Sequence, residues 1–158
     1  MEFNWFVNQL DYIYLWYGIS FLLLSVICFR LVYLQPAGRI SWKWLGLFAA
    51  LHGLNEWLDM FAMAVTSNWL DLLRPAMLTL SFTALIGFCA SALKDQTAKG
   101  LGRFFFIVPL LLCSVASFWG VEVFKAVVRY TMAFPGALLA SWILFSETRH
   151  TVAKRRYG

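Results

Sequence analysis

Five apolar stretches, at about residues 12–34, 40–65, 72–93, 102–119 and 121–146, occupy most of this 158-residue chain. Most come close to the roughly 20 residues that an α-helix needs to cross the hydrocarbon core of a bilayer. A segment in lipid must satisfy its own backbone hydrogen bonds, which a helix does along its whole length. Composition agrees: 61% of residues are hydrophobic, 13% are charged and mean hydropathy is +0.71, outside the range of a soluble globular domain. The expected fold is an all-α integral membrane protein, a bundle of about five transmembrane helices forming one membrane-embedded domain over residues 1–158. The fourth stretch is the weakest. It is short, carries Pro109 and meets the fifth through Trp119-Gly120, so residues 102–146 read as a tight helical hairpin or as one re-entrant piece.

Basic residues set the expected orientation, because Lys and Arg beside a spanning segment resist translocation. Arg30, Arg39 and Lys43, then Lys94, Lys99 and Arg103, then Arg149, Lys154, Arg155 and Arg156 mark alternate ends of the segments. These are ten of the thirteen basic residues, and they place the N-terminus outside and the C-terminus in the cytoplasm. The net charge of +5 is then mainly a topology signal, and nucleic acid is not an expected partner. Met1-Glu2-Phe3-Asn4-Trp5 lacks a basic n-region, so the first segment does not read as a cleaved signal peptide. Tyr12, Trp16, Tyr17, Trp69 and Trp119 on one side and Trp42, Trp44 and Trp142 on the other form aromatic belts at the interfaces. Cys28, Cys89 and Cys113 each lie in an apolar segment without CxxC spacing and read as small core residues. Residues 147–158 form a basic tail, read either as an anchor on anionic headgroups or as a connector to an output domain.

The second stretch carries an energetic anomaly: His52-Gly53-Leu54-Asn55-Glu56-Trp57-Leu58-Asp59 lies in its middle and outer part. At 100° per residue, His52, Asn55, Glu56 and Asp59 fall at about 0°, −60°, +40° and −20°, on one face roughly 100° wide. A carboxylate near a bilayer centre costs about 2.5 to 3.5 kcal/mol on insertion scales, so this face must meet protein or a wet cavity. Glu122, Lys125 and Arg129 share a face of the fifth stretch at about 0°, −60° and −20°. Counting depth at about 1.5 Å per residue pairs Asp59 with Lys125 and Glu56 with Arg129, while Arg74, followed by Pro75, can join Asp59 or Asp71. Two readings stay open for this set. One is structural ion pairs that fix helix register. The other is a polar pocket in the outer half, roofed by aromatics, that binds a small ligand or changes protonation.

His52 beside Glu56 reads as a hydrogen-bonded core histidine or as a proton switch. Haem ligation by paired histidines fits poorly, since His150 lies beyond the end of the fifth stretch. His52, Glu56 and Asp59 have the ligand types for a divalent cation, but the neighbouring basic residues oppose one. The residues name no cofactor, and no nucleotide, zinc or hydrolase motif is present. Gly46, Ala49, Ala50 and Gly53, and again Gly136, Ala137 and Ala140, are small-residue faces suited to close helix packing in lipid. Pro135-Gly136, just inward of Arg129, reads as a passive kink or as a weak point that transmits movement.

The run Leu45-Gly46-Leu47-Phe48-Ala49-Ala50-Leu51-His52-Gly53-Leu54-Asn55-Glu56-Trp57-Leu58-Asp59-Met60-Phe61 resembles a segment in the N-terminal membrane regions of bacterial multidomain sensor histidine kinases and related cyclic-di-GMP enzymes. There the phrase is close to FGLLHGLNEWLDMF, and it follows a helix similar to Tyr17-Gly18-Ile19-Ser20-Phe21. The resemblance covers mainly residues 12–65, about a third of the chain. It implies a multi-pass sensor module of the bacterial inner membrane that feeds a cytoplasmic signalling domain or protein, in a two-component or cyclic-di-GMP system. No phosphoacceptor helix, ATP-binding domain or GGDEF-type domain follows in this sequence, so the chain reads as an excised sensor region or a stand-alone relative, and not itself as an enzyme.

The expectation is therefore a signal-perception module whose input site comprises His52, Asn55, Glu56, Asp59, Arg74, Glu122, Lys125 and Arg129. Its expected partners are the bilayer, a proton or small-molecule signal, a cytoplasmic output and a second copy of the chain. The competing expectation is a small transport or membrane-complex subunit in which the same charges are structural or line an ion path. A path needs polar residues on both sides of mid-depth, and the inner half of the chain is nearly all apolar.

Overall fold

A computed structural model of the protein describes residues 9–35, 40–65, 67–93, 111 and 120–157, with side chains omitted at 121, 122 and 150–157. The described residues fold into helices: α1 (Leu10–Leu34), α2 (Trp42–Ala64), α3 (Asn68–Leu93), α4 (Val121–Val128) and α5 (Phe134–Tyr157). A π-helical segment, Arg129–Ala133, joins α4 to α5, so the last three pieces make one rod. Among the described residues there are thus four rods. The expected fourth segment, 102–119, lies outside the described residues apart from Leu111, as do Cys113, Trp119 and the basic residues Lys94, Lys99 and Arg103.

Three rods are long and apolar enough to cross a membrane: Leu10–Leu34, Asn68–Leu93 and Val123–Arg149. The polar stripe keeps α2 out of that group, although its 23 residues match the required length. Burial separates the roles of the others. Only 17% of the apolar window of α1 is covered by protein, against 44% for α3. The helix α1 is peripheral and packs on α2, whereas α3 is central, touching α2 on one side and the α4–α5 rod on the other.

Small residues set the α1–α2 contact. A Cβ on Gly53 would stand 2.9 Å from the Gly18 carbonyl oxygen, and one on Gly46 would meet Cys28 Cβ at 3.2 Å. Ser25 Oγ donates to the Gly46 carbonyl at 2.9 Å, and Trp57 Nε1 donates to the Leu15 carbonyl at 3.4 Å. Backbones this close gain dispersion and leave room for side-chain-to-backbone hydrogen bonds between helices. On the far side of α3, Gly136 and Ala140 pack against the core, and Cys89 Sγ approaches the Gly136 carbonyl at 3.6 Å. Ala137, which was expected to share this contact, is exposed, because it lies about 100° round the helix from Gly136. Cys28 and Cys89 are buried core residues, as their sequence context suggested. Trp42, the first residue of α2, packs half-buried against the core with its indole N–H enclosed.

The π segment has a local cause. Proline has no N–H, and its ring collides with the carbonyl four residues earlier in an α-helix. Pro135 therefore conflicts with Thr131, and the turn ahead of it widens, with the Phe134 N–H bonded to the Arg129 carbonyl five residues back. Thr131 Oγ1 donates to the Val127 carbonyl at 2.7 Å, adding a side-chain bond beside the widened turn. Such π turns concentrate at functional positions.

Candidate functional site

The stripe read from the sequence is a buried face. His52, Asn55, Glu56 and Asp59 are 8%, 2%, 7% and 7% exposed. The glycine face of α2 at Gly46 and Gly53 is turned to α1. The polar stripe alongside it reaches α3, where Ser81 and Arg74 meet His52 and Asp59.

His52 is enclosed by rings. Phe21 of α1, Phe82 of α3 and Phe48 of α2 have ring centroids 4.6, 5.2 and 5.4 Å from the imidazole, and Tyr17 lies at 6.5 Å. Phe48 is stacked at 26°, while Phe21 and Tyr17 present edges. Both ring nitrogens face polar atoms. Nδ1 is 3.3 Å from Ser81 Oγ, and Nε2 is 3.5 Å from Glu56 Oε1. Ser81 donates its own proton to the Leu78 carbonyl at 2.8 Å.

Asp59 is held by two donors: Arg74 Nε on Oδ1 and Asn55 Nδ2, at 3.4 Å, on Oδ2. The side chains of Asp59 and Arg74 are 9% and 21% exposed, so this ion pair is largely withdrawn from solvent. The Asn55 side-chain oxygen is buried with no hydrogen-bond partner among the described residues.

The pairings expected from depth need correction. Asp59 takes Arg74, the alternative partner, in place of Lys125, because a short link at residues 65–67 ties α2 to α3 and holds the two side chains at one level. The ion partner of Glu56 within 4 Å is His52 and not Arg129. Arg129 is exposed at the first position of the π segment. Lys125, one turn earlier, is buried at 8% exposure. The side chain of Glu122 lies outside the described residues, as do those of His150, Lys154, Arg155 and Arg156 in the tail.

Among the described residues, no group of three or more His, Cys, Asp or Glu side chains is placed to hold a metal ion. The geometry gives a reason: Asp59 is turned to a guanidinium and His52 to a serine. Sequence reasoning missed Ser81 and the phenylalanine cage. A serine in a membrane helix usually bonds to its own backbone, and three phenylalanines among fifteen carry no pattern of their own. The chain matches no protein-family model, no curated protein and no solved structure.

Proposed function

We propose that the chain is a membrane signal-perception module, with the stripe of α2 as its input and the α4–α5 rod as its output. The N-terminus lies outside and the C-terminus in the cytoplasm, so the α2–α3 link and the cluster face the outer half of the bilayer. One observation carries the reading. The buried polar residues of α2 meet α3, and α3 also packs against the rod whose π segment opens at Arg129 and which then runs without a break to Tyr157. A change of charge at Glu56 or His52 alters the field at the start of the π segment, since charges in a poorly hydrated interior act over several ångströms.

The output is a cytoplasmic signalling domain or protein of the two-component or cyclic-di-GMP kind, addressed through the end of α5. Arg149 begins that end, with its guanidinium 4.5 Å from the Phe145 ring centroid, an arrangement suited to the lipid–water boundary. Coupling requires that the signal bind two arrangements of the rod with different affinity. The test fuses residues 1–158 to a cyclase output and compares Glu56→Gln and Arg129→Ala with the parent. Both substitutions are expected to shift basal output or its response. Unchanged output from both, with expression and melting temperature preserved, would refute the proposal.

A further inference from the structure

We propose that His52 and Glu56 form a one-proton site, holding a single proton between His52 Nε2 and Glu56 Oε1, and that this proton is the signal. The second half rests on the perception role proposed above; the first half stands on hydrogen-bond counting alone.

The count begins at Ser81. A hydroxyl has one proton, and that of Ser81 is committed to the Leu78 carbonyl at 2.8 Å. At 3.3 Å, Ser81 Oγ can then only accept from His52 Nδ1, which must carry a hydrogen. A neutral imidazole in this tautomer presents a bare lone pair at Nε2, 3.5 Å from Glu56 Oε1. If Glu56 were a carboxylate, two acceptors would face each other in a buried site, an arrangement that loses the hydrogen bond and leaves both groups desolvated. One proton removes the conflict. It sits on Glu56 as a carboxylic acid donating to Nε2, because the cage of rings disfavours the separated charges of an imidazolium and a carboxylate. The pair is then neutral.

The surroundings narrow the ligand to a proton. Both ring nitrogens have partners, and three phenylalanines and a tyrosine enclose the ring, so nothing larger reaches it without opening the cage. Among the described residues, the charged and titratable groups on the elements around the couple are Tyr17 of α1, Asp59 of α2 and Arg74 of α3, with Lys125 and Arg129 on the rod that packs against α3. Asp59 is already held by Arg74 and Asn55. Release of the proton converts Glu56–COOH and neutral His52 into Glu56–COO⁻ and neutral His52, with H⁺ passing to solvent. The pair then carries one negative charge in a buried site, where water screens it little and the cations of the neighbouring rod feel it.

The experiment uses the full chain in phosphatidylcholine vesicles and records pH-difference infrared spectra together with ¹⁵N NMR of His52, with His150→Ala isolating the single ring. The expected result is a protonated carboxyl C=O band that disappears on raising pH in one step, together with a change at Nε2 and none at Nδ1. Glu56→Gln should remove the band and the step, since its amide N–H supplies a permanent donor to Nε2. Ser81→Ala frees the neutral ring to carry its hydrogen on Nε2 and donate to a Glu56 carboxylate, so the band should be lost under conditions where the parent shows it. Absence of a Glu56 carboxyl band at every pH, or a band unchanged in a folded Ser81→Ala protein, overturns the site. If the spectra behave as expected while Glu56→Gln leaves the fused output unchanged, the proton site stands and its role as the signal fails. If output changes without any such band, the perception role stands and the proton site fails.

Discussion

Replacing Arg74 by Met gives a sharp test of how the cluster is held together. The substitution keeps an unbranched apolar stem, shorter by two atoms, and removes the cation from an ion pair whose members are 9% and 21% exposed. What remains is the Asp59 carboxylate, still buried, with Asn55 Nδ2 at 3.4 Å as its other donor. Removing one partner of a buried pair costs about 3 to 5 kcal/mol, because the remaining charge is uncompensated. The surviving Asn55 bond offsets about 1 kcal/mol of this, which puts Arg74→Met near 3 kcal/mol. Asp59→Asn should cost less, about 1 to 2 kcal/mol, since the amide oxygen still accepts from Arg74 and the partly exposed guanidinium can turn toward the boundary. The double variant buries no unpaired charge and should cost no more than Arg74→Met alone, giving a coupling of at least about 1 to 2 kcal/mol. Reversible unfolding in bicelles, read by tryptophan fluorescence, supplies the four free energies. A cost for Arg74→Met below about 1 kcal/mol, with additive effects in the double variant, would show that the pair is solvated and the reasoning wrong.

Two further substitutions probe the scaffold. Gly53→Ala places a methyl 2.9 Å from the Gly18 backbone oxygen, which cannot yield as a flexible side chain would, so α1 and α2 must separate at a cost of about 1 to 3 kcal/mol in the same unfolding assay. Ser25→Ala, which removes only the bond to the Gly46 carbonyl, should cost about 1 kcal/mol, and a larger loss than that of Gly53→Ala would reverse the assigned hierarchy. Pro135→Ala restores an N–H and removes the ring that conflicts with Thr131, so the π segment should rewind as α-helix. Taking up one extra residue turns the rod by about 100° on one side of the segment relative to the other. A spin label at Tyr130, 79% exposed in the parent, would report this as changed lipid accessibility relative to one at Leu138. An unchanged pattern would mean that Pro135 does not cause the π turn.

The contrast between what the sequence revealed and what it concealed lies within α2 and its neighbours. That His52, Asn55, Glu56 and Asp59 share a face follows from helical periodicity alone, and all four are buried together. Which cation meets which anion depends on how far one helix slides along another, and periodicity is silent on that. Depth counting assumed that each span starts at the same membrane plane. A short link is a stronger ruler: Asp59 lies five residues before the end of α2 and Arg74 six after the start of α3, about 7.5 and 9 Å from the same turn. The loop thus brings Asp59 to Arg74, whereas Lys125 and Arg129 belong to a rod with no such tether to α2.

The aromatic residues change the meaning of the site more than the ion pairs do. A polar pocket roofed by aromatics suggests space for a small molecule, but here the rings enclose the imidazole itself. An aromatic wall around a ligand leaves a vacancy to be filled, whereas one around a histidine excludes water from its two nitrogens and makes their hydrogen-bond partners decisive. Ser81 then acquires an importance out of proportion to its size, because the direction of its single O–H fixes the tautomer of His52. That direction is itself set by the Leu78 carbonyl three residues earlier on α3. A backbone bond in one helix thereby determines which atom of a second helix must share a proton with Glu56, and so how much charge the buried face of α2 carries.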